Sequence, residues 1–323
     1  MSEKKSHIEH IWSDVRPEFE GESYELVSGS VADVLIVRDA PRPYVVKIPS
    51  DMTPFHRQLS LAEARVCDVL GDIAEEPLFG LPELYKFNQD PLYAVLKYVP
   101  GDTLNSYLEK HKVFWPSFEE QREVGRSLGT FMVWINNVLS RDFFNDPAML
   151  PPPHFIRGEN GIDEMLSRRD LLRQLGYKSL RTCLDELYML QNKYRDQLND
   201  TPIVGHGDIH VSNILVDSDP GLSVSGIIDF SFTAPSAAEY EMRNLLRLGP
   251  EVEESAVASY QEKSGNEISR ELLRYWALAR WTAMCMSNII CNQPIPEAGK
   301  LYLGYLRPDL KWDEIDEWNE LVS

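Results

Sequence analysis

Hydrophobic and polar positions alternate from Tyr24 onward, first through YELVSGSVADVLIV and then through PYVVKIP. Alternation rich in β-branched residues marks half-buried strands. It predicts two strands around Ser28-Gly29-Ser30 and a third entered after the Pro41-Arg42-Pro43 turn. From Ser60 to Leu70 the period changes, and Leu61, Ala64, Cys67, Val69 and Leu70 gather on one approximate helical face that Gly71 can end. LPELYKFN and LYAVLKYV then read as two more strands around Asn88-Gln89-Asp90-Pro91.

After Pro100-Gly101 the helical period dominates. A helix is predicted from Thr103 to His111, and a capping box pairs Ser117 with Glu120 ahead of VGRSLGTFMVWINNVL. Residues 141–161 form a proline-rich connector, with helices expected at 162–175 and 180–199. Then loop, strand, turn and strand follow in IVGHGDIHVSN, ILVD, Ser218-Asp219-Pro220-Gly221 and LSVSGIIDF. From Glu239 the chain is helical again and closes on the acidic KWDEIDEWNE. The expected class is α+β and bilobal. A small β-sheet lobe with one helix takes residues 1–99, a hinge lies near 98–101, and a large, mainly helical lobe takes 100–323.

Charge narrows the partners. Lys and Arg number 32 against 51 Asp and Glu, a net −19. Such a field repels nucleic-acid backbones and anionic lipid but not a cationic small molecule. The N-terminus is polar and no apolar run approaches membrane-spanning length, so a cytoplasmic protein is expected. Cys67, Cys183, Cys285 and Cys291 lack zinc or disulfide spacing and read as reduced thiols.

The chemistry sits on the late hairpin. His206-Gly207-Asp208 precedes Asn213 by five positions from the Asp, and Asp229 ends the second strand. With 7 His, 22 Asp and 14 Asn in 323 residues, random order would give H-x-D-x-x-x-x-N about 0.02 times. A carboxylate that can take a hydroxyl proton, beside an amide and a carboxylate suited to Mg²⁺, is the set phosphoryl transfer needs. Lys47 in Val45-Val46-Lys47-Ile48 is placed to reach phosphates, and Glu63 on the next helix to pair with it. Ser28-Gly29-Ser30 could cover those phosphates.

HGDIHVSNILVD followed by GIIDF, with VVKI, EAR and KYVPGDTL, resembles the aminoglycoside phosphotransferase and choline kinase-like family over roughly residues 22–290. The resemblance implies a protein-kinase-like fold, with nucleotide in the cleft between the lobes. It implies Asp208 as catalytic base, His206 bracing its loop, and Asn213 and Asp229 as Mg²⁺ ligands. ATP, with GTP as a possible substitute, would be held by Lys47, itself anchored by Glu63, and by the backbone at Tyr98 and Val99. Two departures stand out: Ser231 where many relatives carry Gly, and Glu241 in place of a structural Asp, without the usual Gly-Asp-Pro turn.

An ATP- and Mg²⁺-dependent kinase acting on a hydroxyl of a cationic small molecule is therefore expected. An aminoglycoside-type antibiotic is the favoured acceptor, and resistance the implied role. A metabolite kinase acting on an amino alcohol, sugar or sugar-amine is the alternative. Two other classes remain: a non-catalytic kinase-like binding module, and a metal-dependent hydrolase on His206, Asp208 and His210. The terminal cluster of Asp309, Asp313, Glu314, Asp316, Glu317 and Glu320 with Trp312 and Trp318 reads either as a solvated helix face or as a patch for an amine.

Overall fold

The structure, a computed structural model, describes residues 3–29, 31–73, 79–113, 115–139, 144, 177–198, 203–219, 221–295 and 297–312. The expected helix at 162–175, the connector at 141–161 apart from Phe144, and residues 313–323 of the acidic terminus lie outside these residues, as does Ser30. The chain divides into two compact units: Met1–Phe114, Asn137–Pro151 and Val211–Ala234 in one, and Trp115–Asn136, Pro152–His210 and Pro235–Ser323 in the other.

In the first unit, β1 (Glu25–Ser28), β2 (Ala32–Val37), β3 (Tyr44–Pro49), β4 (Leu84–Gln89) and β5 (Leu92–Lys97) form an antiparallel sheet. Its order is β1-β2-β3-β5-β4. Register places Lys47 opposite Val34 on one side and Ala94 on the other. Because side chains alternate across a sheet, Tyr44, Val46 and Ile48 face one layer and Val45 and Lys47 the other. The first layer is a helix that the sequence reading did not anticipate, α1 (Glu3–Phe19), which buries Ile8, Ile11, Trp12 and Val15 against Leu35, Tyr44, Val46 and Tyr93. The spacing of those four residues is helical, but it is hidden in a polar N-terminus.

The second layer is α2 (Pro54–Gly71), whose Cys67 meets Ala94 and Leu96. It starts six residues earlier than expected, because the Thr53 hydroxyl accepts the His56 N–H and Pro54 occupies the first turn. The same unit holds β6 (Asp102–Thr103), the adjoining α3 (Leu104–His111), and the hairpin of β8 (Ile214–Asp217) and β9 (Ser223–Ile227). Its strand order is β6-β8-β9. Val99 wedges between Gly80 and Gly226, where a Cβ would come within 2.6 Å of its Cγ1 on either side.

The second unit is mainly helical: α4 (Phe118–Val138), α5 (Lys178–Leu198), α6 (Ala238–Met242), α7 (Pro250–Ser264), α8 (Arg270–Ile290) and α9 (Glu297–Leu306). A two-stranded ribbon adds β7 (Ile203–Gly205) paired with β10 (Ala234–Ser236). The capping box forms: Ser117 N–H donates to Glu120 at 2.8 Å and Glu120 N–H to the Ser117 hydroxyl at 3.3 Å. Gly125 and Gly129 let α4 lie directly on α7, since a Cβ would approach the carbonyls of Val252 and Ala256 to 2.5 and 2.4 Å. Leu180, Leu184 and Leu187 of α5 share a core with Tyr275, Leu278 and Trp281 of α8, each full burial contributing about 2 kcal/mol. Along α8, Leu272, Tyr275, Trp276, Ala279 and Ile289 are buried, whereas Ile290 at its end is exposed. Among the described residues no helix is long and apolar enough to cross a membrane.

Candidate active site

The first unit brings together three of the residues singled out by sequence. Lys47 Nζ donates to Glu63 at 2.8 Å and to Asp229 Oδ1 at 3.0 Å. Lys47 and Glu63 are nearly sealed, with side chains 16 % and 5 % exposed, whereas Asp229 stays 35 % open. Burial alone would lower the lysine's pKa, but the carboxylates of Asp229 and Glu63 outweigh it and raise it, so the ammonium persists. Glu63 also accepts the Phe230 backbone N–H, tying α2 to the segment after β9. Asp229 itself sits at φ +68°, a left-handed conformation that Asp tolerates. The Ser231 hydroxyl donates to Asp229 Oδ1, so the serine found in place of glycine clamps this carboxylate.

Asn213, buried just before β8, receives Ile228 N–H on its carbonyl at 3.0 Å. Ser28 and Gly29 form a tight hairpin in which Gly29 N–H donates to Ala32 at 2.9 Å. Tyr98 N–H is taken by the Pro43 carbonyl at 3.1 Å, and its hydroxyl receives Arg38 Nε at 3.3 Å.

The second unit builds the loop of Asp208. His206 is buried, and its Nδ1 accepts the Asp208 N–H at 3.3 Å, which braces the loop. Gly207, at φ +83°, is gripped at both ends of its backbone. Its N–H donates to Glu241 at 2.8 Å and its carbonyl receives Arg243 at 2.7 Å. Glu241 also accepts the Ser236 hydroxyl at 2.8 Å. A Cβ on Gly205 would sit 2.1 Å from the Glu241 carboxyl carbon, so this glycine makes room for the longer acid. Glu241 thus holds the loop without a Gly-Asp-Pro turn.

Burial pushes the Asp208 carboxyl upward, but a hydrogen bond and charge from His210, then the charges of Arg243 and His206, bring it below the usual range. His210 Nε2 lies 3.3 Å from Asp208 Oδ2. Asp208 is therefore an acceptor at neutral pH, able to receive a proton. Arg243 escaped the sequence reading, because no local spacing marks a buried cation whose bond to Gly207 reaches 36 positions back along the chain. In the terminal cluster, Asp309 is held by Arg307 at 2.6 Å and pushed down to about 2, and Trp312 is buried. Asp313, Glu314, Asp316, Glu317, Trp318 and Glu320 of that cluster lie outside the described residues.

Among the described residues no group of three His, Cys, Asp or Glu side chains is arranged to hold a metal. The hard oxygen donors of Asp229 and Asn213 do fit Mg²⁺, and the cluster around Lys47 carries one cation against two carboxylates.

The family model described as the phosphotransferase enzyme family matches residues 23–278. The chain belongs to that family. Its members transfer phosphate to hydroxyl groups of small molecules, and this chain is a small-molecule phosphotransferase. No curated protein matches. Solved structures of similar fold include APH(2")-IIIa with GDP and kanamycin, at 17 % identity and TM-score 0.65 over 98 % of this chain and 97 % of that one. The macrolide 2'-phosphotransferase MphH of Brachybacterium faecium aligns at 13 % identity and TM-score 0.57, covering 94 % and 98 %. Choline kinase LicA of Streptococcus pneumoniae aligns at 14 % and 0.55, covering 98 % and 97 %. These likenesses establish the protein-kinase-like fold.

Proposed function

We propose that this phosphotransferase moves the γ-phosphate of ATP to a hydroxyl of a small molecule, with Asp208 as the base. The observation that carries the reading is the buried Lys47 ammonium held between Glu63 and Asp229. A lysine fixed in this way presents a persistent positive charge to nucleotide phosphates. Asp208 orients the acceptor hydroxyl. As the acceptor oxygen bonds to the γ-phosphorus, the bond from that phosphorus to the bridging oxygen of ADP breaks, and the hydroxyl proton passes to Asp208. Asn213 and Asp229 would hold Mg²⁺, which neutralises charge on the phosphates. Glu63 aims Lys47, while His206, Glu241 and Arg243 hold the Asp208 loop in shape. For the acceptor, an aminoglycoside-type antibiotic is favoured, with a metabolite such as an amino alcohol, sugar or sugar-amine as the alternative; structures of similar fold hold kanamycin or are a choline kinase.

The test is ADP release from Mg-ATP across a panel of aminoglycosides, macrolides, amino alcohols, sugars and hydroxy acids. Asp208→Asn should cut the rate with the active acceptor by about 10²–10⁴-fold while nucleotide binding persists. An unchanged rate would remove Asp208 from the chemistry.

A further inference from the structure

Asp229 is held by more than its ion pair. Its Oδ1 accepts Lys47 Nζ at 3.0 Å and also the hydroxyl of Ser231, so two donors converge on one carboxylate oxygen. A carboxylate oxygen offers two lone pairs, and both are then engaged. The group is nevertheless partly open, unlike the sealed carboxylate of Glu63 on the same lysine.

The two donors are anchored differently. Lys47 arrives from β3 on a long side chain, and its charge is one that nucleotide phosphates compete for. Ser231 is buried only two residues from Asp229, in the short turn Phe230–Phe232. That turn is pinned around the serine. The Phe230 ring is buried, Glu63 accepts the Phe230 N–H, and the Thr233 N–H donates to the Phe230 carbonyl at 3.1 Å. A hydroxyl fixed in this way stays on Oδ1 when the lysine is drawn toward phosphate.

What a cation asks of a carboxylate depends on its size. Mg²⁺ keeps a tight octahedron, in which a carboxylate chelating through both oxygens spans too small an angle. Ca²⁺ gathers more oxygens in a looser shell and takes carboxylates through one oxygen or both. A donor that keeps Oδ1 occupied therefore penalises the larger ion more than the smaller.

We propose that Ser231 is a positioning residue that limits Asp229 to ligation through one oxygen and so makes the site favour Mg²⁺ over Ca²⁺. The proposal deepens the phosphotransfer reading and rests on its assignment of Asp229 to the metal.

The test involves no turnover. Calorimetry measures the binding of a non-hydrolysable ATP analogue to the full chain without metal, with saturating Mg²⁺ and with saturating Ca²⁺. Wild type is compared with Ser231→Ala, which removes only the hydroxyl, and with Ser231→Gly. The quantity read is the ratio of the two metal-supported affinities within each protein, which cancels any general loss of binding or stability. In both variants the ratio should move toward Ca²⁺ by about three- to tenfold, the scale of one net hydrogen bond. A ratio equal to that of wild type, or one that moves toward Mg²⁺, overturns the proposal. Analogue affinity in wild type that neither metal changes would sink the metal assignment of Asp229 itself, an outcome read without any variant and so distinct from a failure of Ser231.

Discussion

The two charged clusters of this chain treat their carboxylates differently. Around Lys47, one ammonium faces the carboxylates of Glu63 and Asp229, with Lys47 and Glu63 nearly sealed and Asp229 partly open. Around Asp208, His210, Arg243 and His206 draw the carboxyl below its usual range against burial, while Arg243 and Glu241 are spent on the backbone of its loop. The first cluster leaves a carboxylate oxygen open to a ligand; the second keeps a carboxylate ionised. Net charge cannot show this, because −19 averages over both.

The largest effect expected is from Lys47→Met, which leaves Glu63 buried without its cation. Stability should fall by about 3 kcal/mol in denaturant unfolding, the scale for breaking one side of a buried pair. The double variant Lys47→Met/Glu63→Leu should recover most of that loss but none of the phosphotransfer. Recovery of both would make the cluster purely structural and erase the contrast with Asp208.

A subtler effect is expected in the second cluster. The Asp208 carboxyl lies below its ordinary range because His210, Arg243 and His206 together outweigh burial. A depressed carboxylate is ionised above its folded pKa, so the kcat/KM profile should hold until pH falls below the usual aspartate range. Its stability contribution has the same sign, present above the unfolded pKa and lost as pH falls through the folded one. His210→Gln removes the largest of the downward influences and leaves burial pushing up, so the acid limb should move upward. A limb that stays put would mean that the backbone of the loop, rather than His210, keeps Asp208 ionised.

The sheet and the late hairpin were legible because strands of period two are bounded by proline, glycine and aspartate turns. Lys47, Glu63 and Asp229 were legible as parts, and the structure supplies their meeting, over 182 positions between Lys47 and Asp229. Helix α1 was missed because four apolar residues stand among many charges, and only the sheet face they cover makes them a core. Arg243 carries no sequence signal: a buried, bonded arginine looks like a solvated one until its neighbours are known. Ser231 was legible as a departure, but its bond to Asp229 depends on the left-handed backbone at Asp229.

The most direct measurement of the central contrast is calorimetric titration of a non-hydrolysable ATP analogue, with and without Mg²⁺, into the wild-type chain and Asp229→Asn. The account predicts that Mg²⁺ tightens nucleotide binding by about tenfold or more in wild type and has little effect in Asp229→Asn. Equal Mg²⁺ dependence in the two proteins would contradict it, because the carboxylate left open beside Lys47 would then have no cation to hold.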